Sequence, residues 1–144
     1  MSHKRCHGML FACSLAVAIA GCGDGMGLTN VSGVVTLDGK PVPDATVTFI
    51  PKGETESSPS YGTTDAGGYY SLMFSRDREG VMPGTYDVTI ETEKMPPSDI
   101  KAMKADGLEV PEYVPVPTKY SQAGAITKQV EPDGGEINLE LTST

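Results

Sequence analysis

The side chains best suited to nucleophilic or metal chemistry are concentrated at the start of this sequence. Both histidines and two of the three cysteines lie within residues 1–21, and the third cysteine, Cys22, follows directly. Lys4 and Arg5 precede an uncharged, largely apolar run over residues 9–20, the pattern of a secretory signal. This run is shorter than the roughly 20 apolar residues that a membrane-spanning helix needs. We therefore expect residues 1–21 to be a signal peptide that is removed after export.

The last residues of this segment, Ile19-Ala20-Gly21-Cys22, resemble the lipobox of bacterial lipoproteins. The resemblance implies that the Cys22 thiol carries a diacylglyceryl group, and that the new amine at the cleavage site is acylated with a fatty acid such as palmitate. Two or more acyl chains anchor a protein stably, at ~0.8 kcal/mol per buried methylene. Residues 22–30 are then the lipidated cysteine and a flexible tether. The expected location is the cell membrane or outer membrane, facing the periplasm or the exterior.

Removal of residues 1–21 changes the chemistry that remains. The mature chain has no histidine and its one cysteine is lipid-modified. This excludes Ser-His-Asp and Cys-His catalytic sites, zinc sites built from histidine and cysteine, and a disulfide framework. Loss of Lys4 and Arg5 leaves nine of the 11 basic residues against 19 acidic ones, a formal net charge of −10. A chain this acidic is not expected to bind nucleic acid. We predict a non-enzymatic protein with no cofactor beyond its covalent lipid.

Carboxylates and tyrosines are the polar groups that remain as candidate ligands. Acidic residues recur in the predicted loops and make calcium an alternative ligand, although no spacing matches a calcium loop and turn-forming aspartates explain most of them. Tyr69 has outward parity on a predicted strand, while Tyr61, Tyr113 and Tyr120 lie in or near loops. Such rings can stack on a sugar, so carbohydrate binding through exposed tyrosines is the alternative to a protein partner.

The chain after the tether consists of short apolar–polar alternations separated by turns. Turn signals such as Asp38-Gly39 and Asp65-Ala66-Gly67-Gly68 punctuate it. Runs typical of strands occur at 31–37, 45–50, 61–64, 69–74, 86–91, 125–130 and 137–141. Residues 31–144 are therefore predicted to form one all-β domain, an antiparallel Greek-key β-sandwich of about seven strands.

Three of these stretches resemble carboxypeptidase regulatory-like domains. Residues 31–47 are similar to the opening of those domains, residues 64–70 to their central turn, and residues 83–88 to their later hairpin. The resemblance covers residues 31–91 well and 119–142 more loosely. It implies a transthyretin-like, or prealbumin-type, sandwich, and it implies a non-catalytic accessory or surface module, because most members of the family are of that kind.

Residues 92–120 form an insertion that the sandwich pattern does not explain. Ser98 is positioned to cap a short helix that Gly107 can end, and Ile100 and Met103 share one face of it. Two helical turns are not stable alone. We therefore expect these two apolar side chains to dock on the sandwich or on a partner.

The remainder of this insertion is rich in proline. Leu108 is expected to dock with the helix, and residues 111–117 are expected to be extended, with Tyr113 and Val114 facing outward. The insertion is the predicted interaction surface for an envelope protein or a glycan; the alternative is a cover that blocks strand addition at a sheet edge. The sequence thus predicts a lipid-anchored, non-catalytic binding or structural module at the bacterial cell envelope, attached to membrane lipid through Cys22.

Overall fold

The structure of the protein is a computed structural model that describes residues 25–53 and 57–144. The predicted signal peptide and its lipidation site, Cys22, lie outside these residues. None of the helices formed by the described residues has the length and apolar character needed to cross a membrane.

Within the described ranges the regular secondary structure is mainly short strands arranged in two sheets, and the prediction of an all-β sandwich is confirmed. One α-helix, α1 (Pro97–Ala105), and one 3₁₀ turn (Thr118–Ser121) lie in the predicted insertion. The strands are β1 (Val31–Leu37), β2 (Lys40–Pro41), β3 (Ala45–Pro51), β4 (Ser60–Thr63), β5 (Tyr69–Ser71), β6 (Met73–Ser75), β7 (Arg78–Glu79), β8 (Gly84–Thr92), β9 (Ile126–Val130), β10 (Gly135–Glu136) and β11 (Leu139–Leu141).

Strand β1 is the centre of the five-stranded sheet. Strands β10 and β11 run parallel along one of its edges, pairing Val31 with Gly135 and Leu37 with Leu141. Strands β5 and β2 run antiparallel along the opposite edge. The sheet is therefore mixed, whereas the sequence predicted antiparallel pairing throughout. The physical reason is the turn after β9, which brings Gly135 to the start of β1, where its N–H donates to the Asn30 carbonyl at 3.0 Å. From there the last strand follows the direction of β1.

The six-stranded sheet has the order β7-β6-β4-β3-β8-β9 and is antiparallel. Its longest pairing joins β3 to β8, from Ala45 opposite Thr92 to Pro51 opposite Tyr86. The predicted run at 69–74 divides between the two sheets at Leu72. Arg76 and Asp77 turn the chain from β6 into β7.

The core lies between the sheets and follows the predicted alternation. Alternate side chains are fully buried from Ala45 to Phe49 in β3 and from Tyr86 to Ile90 in β8, as period-two patterning requires. The sandwich begins before residue 31, the start predicted from the sequence. Thr29, assigned to the tether, is buried and exchanges two hydrogen bonds of 2.9 Å with Val81. The buried apolar side chains are Val31, Val35, Val42, Ala45, Val47, Phe49, Tyr70, Leu72, Val81, Tyr86, Val88, Ile90, Tyr120, Val130, Leu139 and Leu141.

Two buried tyrosines tie loops to this core. The Tyr70 hydroxyl donates to the Ile137 carbonyl at 2.6 Å, and burial raises the pKa of Tyr70, so the hydroxyl stays a proton donor. The Tyr86 hydroxyl donates to the Met82 carbonyl at 2.8 Å. The rings of both tyrosines pack near Phe49, with centroids 6.4 and 5.9 Å away.

Gly33 marks the tightest contact in the five-stranded sheet. A Cβ added there would overlap the carbonyl oxygen of Ile137 and lie 3.2 Å from the Tyr70 ring. Gly67, in the turn before β5, has an ordinary φ, and a Cβ added there would meet only an Asp65 oxygen at 3.4 Å.

We predict that Gly33→Ala lowers the free energy of unfolding by about 2–3 kcal/mol, because the methyl group must push residue 137 away from β1. Gly67→Ala is the matched control and is expected to change stability by less than about 0.5 kcal/mol. Urea denaturation of both variants measures the difference. Equal stability of the two would show that residue 137 does not pack on β1 as described.

Candidate functional site

Helix α1 begins at Pro97, and the predicted Ser98 cap is wrong. The residue before the helix, Pro96, makes no side-chain cap, and the Ser98 hydroxyl donates to the Asp99 carboxylate at 3.0 Å instead. Proline suits the first helical position because it has no N–H group that would need a partner. This advantage starts the helix earlier than a serine cap would.

The end of the helix is as predicted. Gly107 has a φ of +71°, and its N–H donates to the Lys104 carbonyl at 3.2 Å. The Leu108 N–H donates to the Met103 carbonyl at 2.9 Å. These two bonds form a Schellman motif, in which glycine is favoured because it adopts a left-handed conformation without strain.

The apolar side chains of this helix are only partly covered. No residue of α1 is buried, and Ile100 and Met103 are half-buried. Leu108 is 57% exposed and does not dock on the sandwich, so of the two expected docking surfaces the partner stays a prediction. The helix therefore keeps an apolar surface that its own domain does not cover.

The extended segment after the helix is fastened to the sandwich. Val114 and Val116 are half-buried and pack against the core, and the Val116 N–H donates to the Thr92 hydroxyl at 3.1 Å. The outward orientation predicted for Val114 is therefore wrong, because its neighbours anchor it over the end of β8. Tyr113 does face outward, with 45% of its surface exposed.

A groove of about 680 Å³ separates this extended segment from the turn regions around β2. One wall comes from residues 109–114 of the insertion, and the other from the end of β1, from β2 and from the loop before β3. We call this groove of about 680 Å³ the main lobe. The residues that line it are Leu37, Asp38, Lys40, Pro41, Pro43, Asp44, Ala66, Glu109, Val110, Pro111, Glu112 and Val114.

A second lobe of about 430 Å³ adjoins the first and reaches helix α1. The two lobes share Pro43, Asp44, Pro111 and Glu112, so they form one continuous depression, which we call the two-lobed groove. The second lobe adds Thr92, Glu93, Lys94, Met95, Pro96, Met103 and Tyr113. The groove thus uses the predicted binding residues Met103 and Tyr113, while Ile100 does not line it.

Two aspartates with left-handed backbone conformations shape the sandwich wall of the groove. Asp38 and Gly39 have φ angles of 50° and 82°, the geometry of a two-residue hairpin turn that joins β1 to β2. Asp44 has a φ of 51°. Aspartate tolerates this conformation better than most residues, which explains why these positions carry carboxylates at the groove.

Thr64 holds the loop that carries Asp44. Its buried hydroxyl accepts a hydrogen bond from the Ala45 N–H at 2.8 Å and donates to the Val42 carbonyl at 2.7 Å. Its backbone carbonyl accepts from the Asp44 N–H at 3.1 Å. One side chain thus fixes both ends of the segment between β2 and β3.

Acidic groups outnumber basic groups along the groove. Its lining holds five carboxylates, from Asp38, Asp44, Glu93, Glu109 and Glu112, against the two ammonium groups of Lys40 and Lys94. Among the described residues, none of these seven side chains is in a salt bridge.

The carboxylate of Asp38 is held in its charged form by the C-terminal segment. The Ser143 N–H donates to it at 3.2 Å, and hydrogen bonding by Ser143 lowers the pKa of Asp38. This carboxylate therefore stays ionised to a lower pH than a free aspartate.

The four tyrosines predicted to contact a ligand are dispersed. Tyr61 and Tyr69 are 43% and 48% exposed, but Tyr61 belongs to the six-stranded sheet and Tyr69 to the five-stranded sheet. Tyr120 is 9% exposed, and its hydroxyl accepts a hydrogen bond from the Thr142 N–H at 3.0 Å. The interpretation of Tyr120 as a stacking residue is therefore wrong: it fastens the C-terminal segment to the 3₁₀ turn.

The acidic residues considered as calcium ligands do not converge. Over residues 25–53 and 57–144, no group of three or more acidic, histidine or cysteine side chains is arranged to hold a metal ion. Asp65 instead accepts hydrogen bonds from the N–H groups of Gly67 and Tyr69, at 2.9 and 3.0 Å, and so stabilises its own turn.

Comparison with solved structures gives a distant similarity. A crystal structure of a DUF3823 family protein from Parabacteroides merdae aligns with this chain at a TM-score of 0.41 and 18% sequence identity. The alignment covers 79% of this chain and 45% of the other, so this chain spans less than half the length of that protein. No protein-family model and no curated protein matches the sequence.

We predict that Thr64→Val lowers the free energy of unfolding by about 3 kcal/mol, because the Ala45 N–H and the Val42 carbonyl lose their partners inside the protein. Thr64→Ser keeps the hydroxyl and is expected to cost only about 1 kcal/mol, for the lost methyl group. Urea denaturation distinguishes them. A larger loss in Thr64→Ser than in Thr64→Val would mean that the methyl group, and not the hydroxyl, supports the loop.

Proposed function

We propose that this protein is a lipid-anchored, non-catalytic binding module of the bacterial cell envelope, and that the two-lobed groove is its ligand site. The observation that carries the proposal is the groove itself, a depression of about 680 Å³ with an adjoining lobe of about 430 Å³. Concave sites of this size with apolar walls and a few polar groups are the usual form of ligand pockets. The insertion contributes one wall, which gives residues 92–120 a role beyond covering an edge.

The position of the groove suits a partner that approaches from outside the membrane. The chain enters the sandwich at Thr29, beside the start of β1, and Leu37 at the other end of β1 lines the groove. Seven residues of strand separate these points by about 20 Å. An anchor at Cys22 would hold the protein by its Thr29 end and present the groove on the far side.

Carbohydrate binding through exposed tyrosines has less support. Tyr61, Tyr69 and Tyr113 lie on three separate elements, two of them in different sheets. A sugar that stacks on aromatic rings gains most from two rings that face the same ligand. Of the three, Tyr113 alone lies in the groove, so a glycan and a protein would compete for the same site.

We predict that Cys22→Ser abolishes incorporation of radiolabelled palmitate and moves the protein from the membrane fraction to the soluble fraction. Loss of two or more acyl chains removes the free energy that holds the anchor in the bilayer. Ser14→Ala, a small change within the predicted signal peptide, is the control and should leave both labelling and fractionation unchanged. Labelling that persists in the Cys22 variant would overturn the assignment of the anchor.

We predict that a photo-reactive amino acid at Val110 or Met103 cross-links to an envelope protein in living cells. Val110 lies in the main lobe and Met103 in the second lobe, and neither is buried. The same amino acid at Tyr61 or Tyr69 is the control, because both positions are exposed outside the groove. Cross-links confined to the two tyrosine positions would contradict the groove as the ligand site and favour the sheet faces.

A further inference from the structure

We propose that the two-lobed groove binds an extended peptide segment of a partner protein, in which lysine or arginine residues alternate with apolar residues. This inference rests on the groove being the ligand site proposed above, and it specifies the chemistry of the ligand. Charge, hydrogen-bonding groups and shape of the groove each lead to the same class of ligand.

The charges of the groove require a ligand with several separated positive groups. Five carboxylates against two lysines give the lining a formal charge of −3, and the mature chain as a whole is acidic. A single metal ion is not the ligand that fits, because nowhere in the described chain do three potential ligand side chains converge on one point. Carboxylates spread along a groove complement charges that are spread along a chain.

Four of the groove carboxylates are free to receive such charges. Within the described part of the chain, Asp44, Glu93, Glu109 and Glu112 accept no hydrogen bond through their carboxylate oxygens. Asp38 accepts one bond from Ser143. Each can therefore accept a charge-assisted hydrogen bond from an ammonium or guanidinium group without first breaking a bond within the protein.

The backbone around the groove also favours a ligand rich in donors. Pro41, Pro43 and Pro111 line it, and proline has no N–H group. The main chain at these positions offers carbonyl acceptors without donors. Lysine and arginine side chains carry only donors, whereas a sugar hydroxyl or a carboxylate ligand would also need donors from the protein.

The walls between the carboxylates are apolar, which selects a peptide over a simple polycation. Proline rings, Leu37, Val110 and Val114 line the main lobe together with the acidic groups, and Met103 and Tyr113 line the second. Apolar side chains of a peptide, and the methylene stems of lysine and arginine, can cover such surfaces. Because two lobes adjoin, an extended segment can occupy both at once.

The test uses the full chain in detergent micelles and two synthetic dodecapeptides, Lys-Pro-Val repeated four times and Gln-Pro-Val repeated four times. We expect the lysine peptide to bind at least tenfold more tightly at low ionic strength, with the difference shrinking as salt is added. Removing three groove charges by Asp44→Asn, Glu109→Gln and Glu112→Gln should weaken lysine-peptide binding about tenfold, which is about 1.4 kcal/mol in total.

The matched control removes three charges at the opposite end of the sandwich, by Glu79→Gln, Glu131→Gln and Asp133→Asn. These residues are exposed and adjoin Gly80 and Gly134, which lie against Thr29 and Asn30. We expect less than a twofold change in affinity. An equal loss in the control would overturn the inference, because binding would then follow net charge alone.

Equal affinity of the lysine and glutamine peptides would also overturn the inference. In that case, cross-links from Val110 and Met103 in cells would still support the groove as the ligand site, for a ligand of different chemistry. Absence of those cross-links, together with absence of peptide binding, would instead reject the proposed function itself. The two failures are therefore distinguishable.

Discussion

The close approach of residue 137 to Gly33 is the contact on which the five-stranded sheet depends. There the Tyr70 hydroxyl holds the Ile137 carbonyl, the Ile137 N–H donates to Ser32 at 2.8 Å, and Asn138 accepts from the Val34 N–H at 2.8 Å. These bonds bridge the gap between β10 and β11, so the last strand remains in one register along the whole of β1. A side chain at position 33 would separate them. With both edges of β1 paired, its far end becomes a fixed platform for the turn that carries Asp38.

The two walls of the groove differ in how firmly they are held: the sandwich wall is rigid, and the insertion wall is fastened only at its ends. On the sandwich side, the Thr64 hydroxyl and the hairpin turn fix the loop with Asp44. On the insertion side, helix α1 has no buried residue, and the chain is secured after it, where Val116 bonds to Thr92. Regions with few buried apolar contacts open at lower free-energy cost than core strands. The insertion wall is therefore the part of the groove that can move at the lower free-energy cost.

Most of the sandwich could be predicted from the sequence, and most of the groove could not. Strands such as β3 and β8 alternate regularly between apolar and polar residues, and period-two alternation depends only on near neighbours in the chain. The parallel pairing of β1 with β11 depends on the direction of the chain after a turn far away in the sequence. A local pattern of apolar and polar residues does not determine that direction. Likewise, Asp44 and Glu112 belong to stretches far apart in sequence. Their residue types suggested turns or calcium, and only the fold shows that they line one depression.

The pairing of the first strand with the last also governs when this domain can fold. Val35 lies beside Leu139, so more than 100 residues must be made before β1 acquires its second edge. Contacts that close such long loops form slowly, because much of the chain's entropy is lost before they form. Until residues 139–141 reach it, β1 presents an unpaired edge to its surroundings. The order of strands therefore makes the pairing of β1 with β11 a late step, and this sheet is completed more slowly than one built from consecutive hairpins would be.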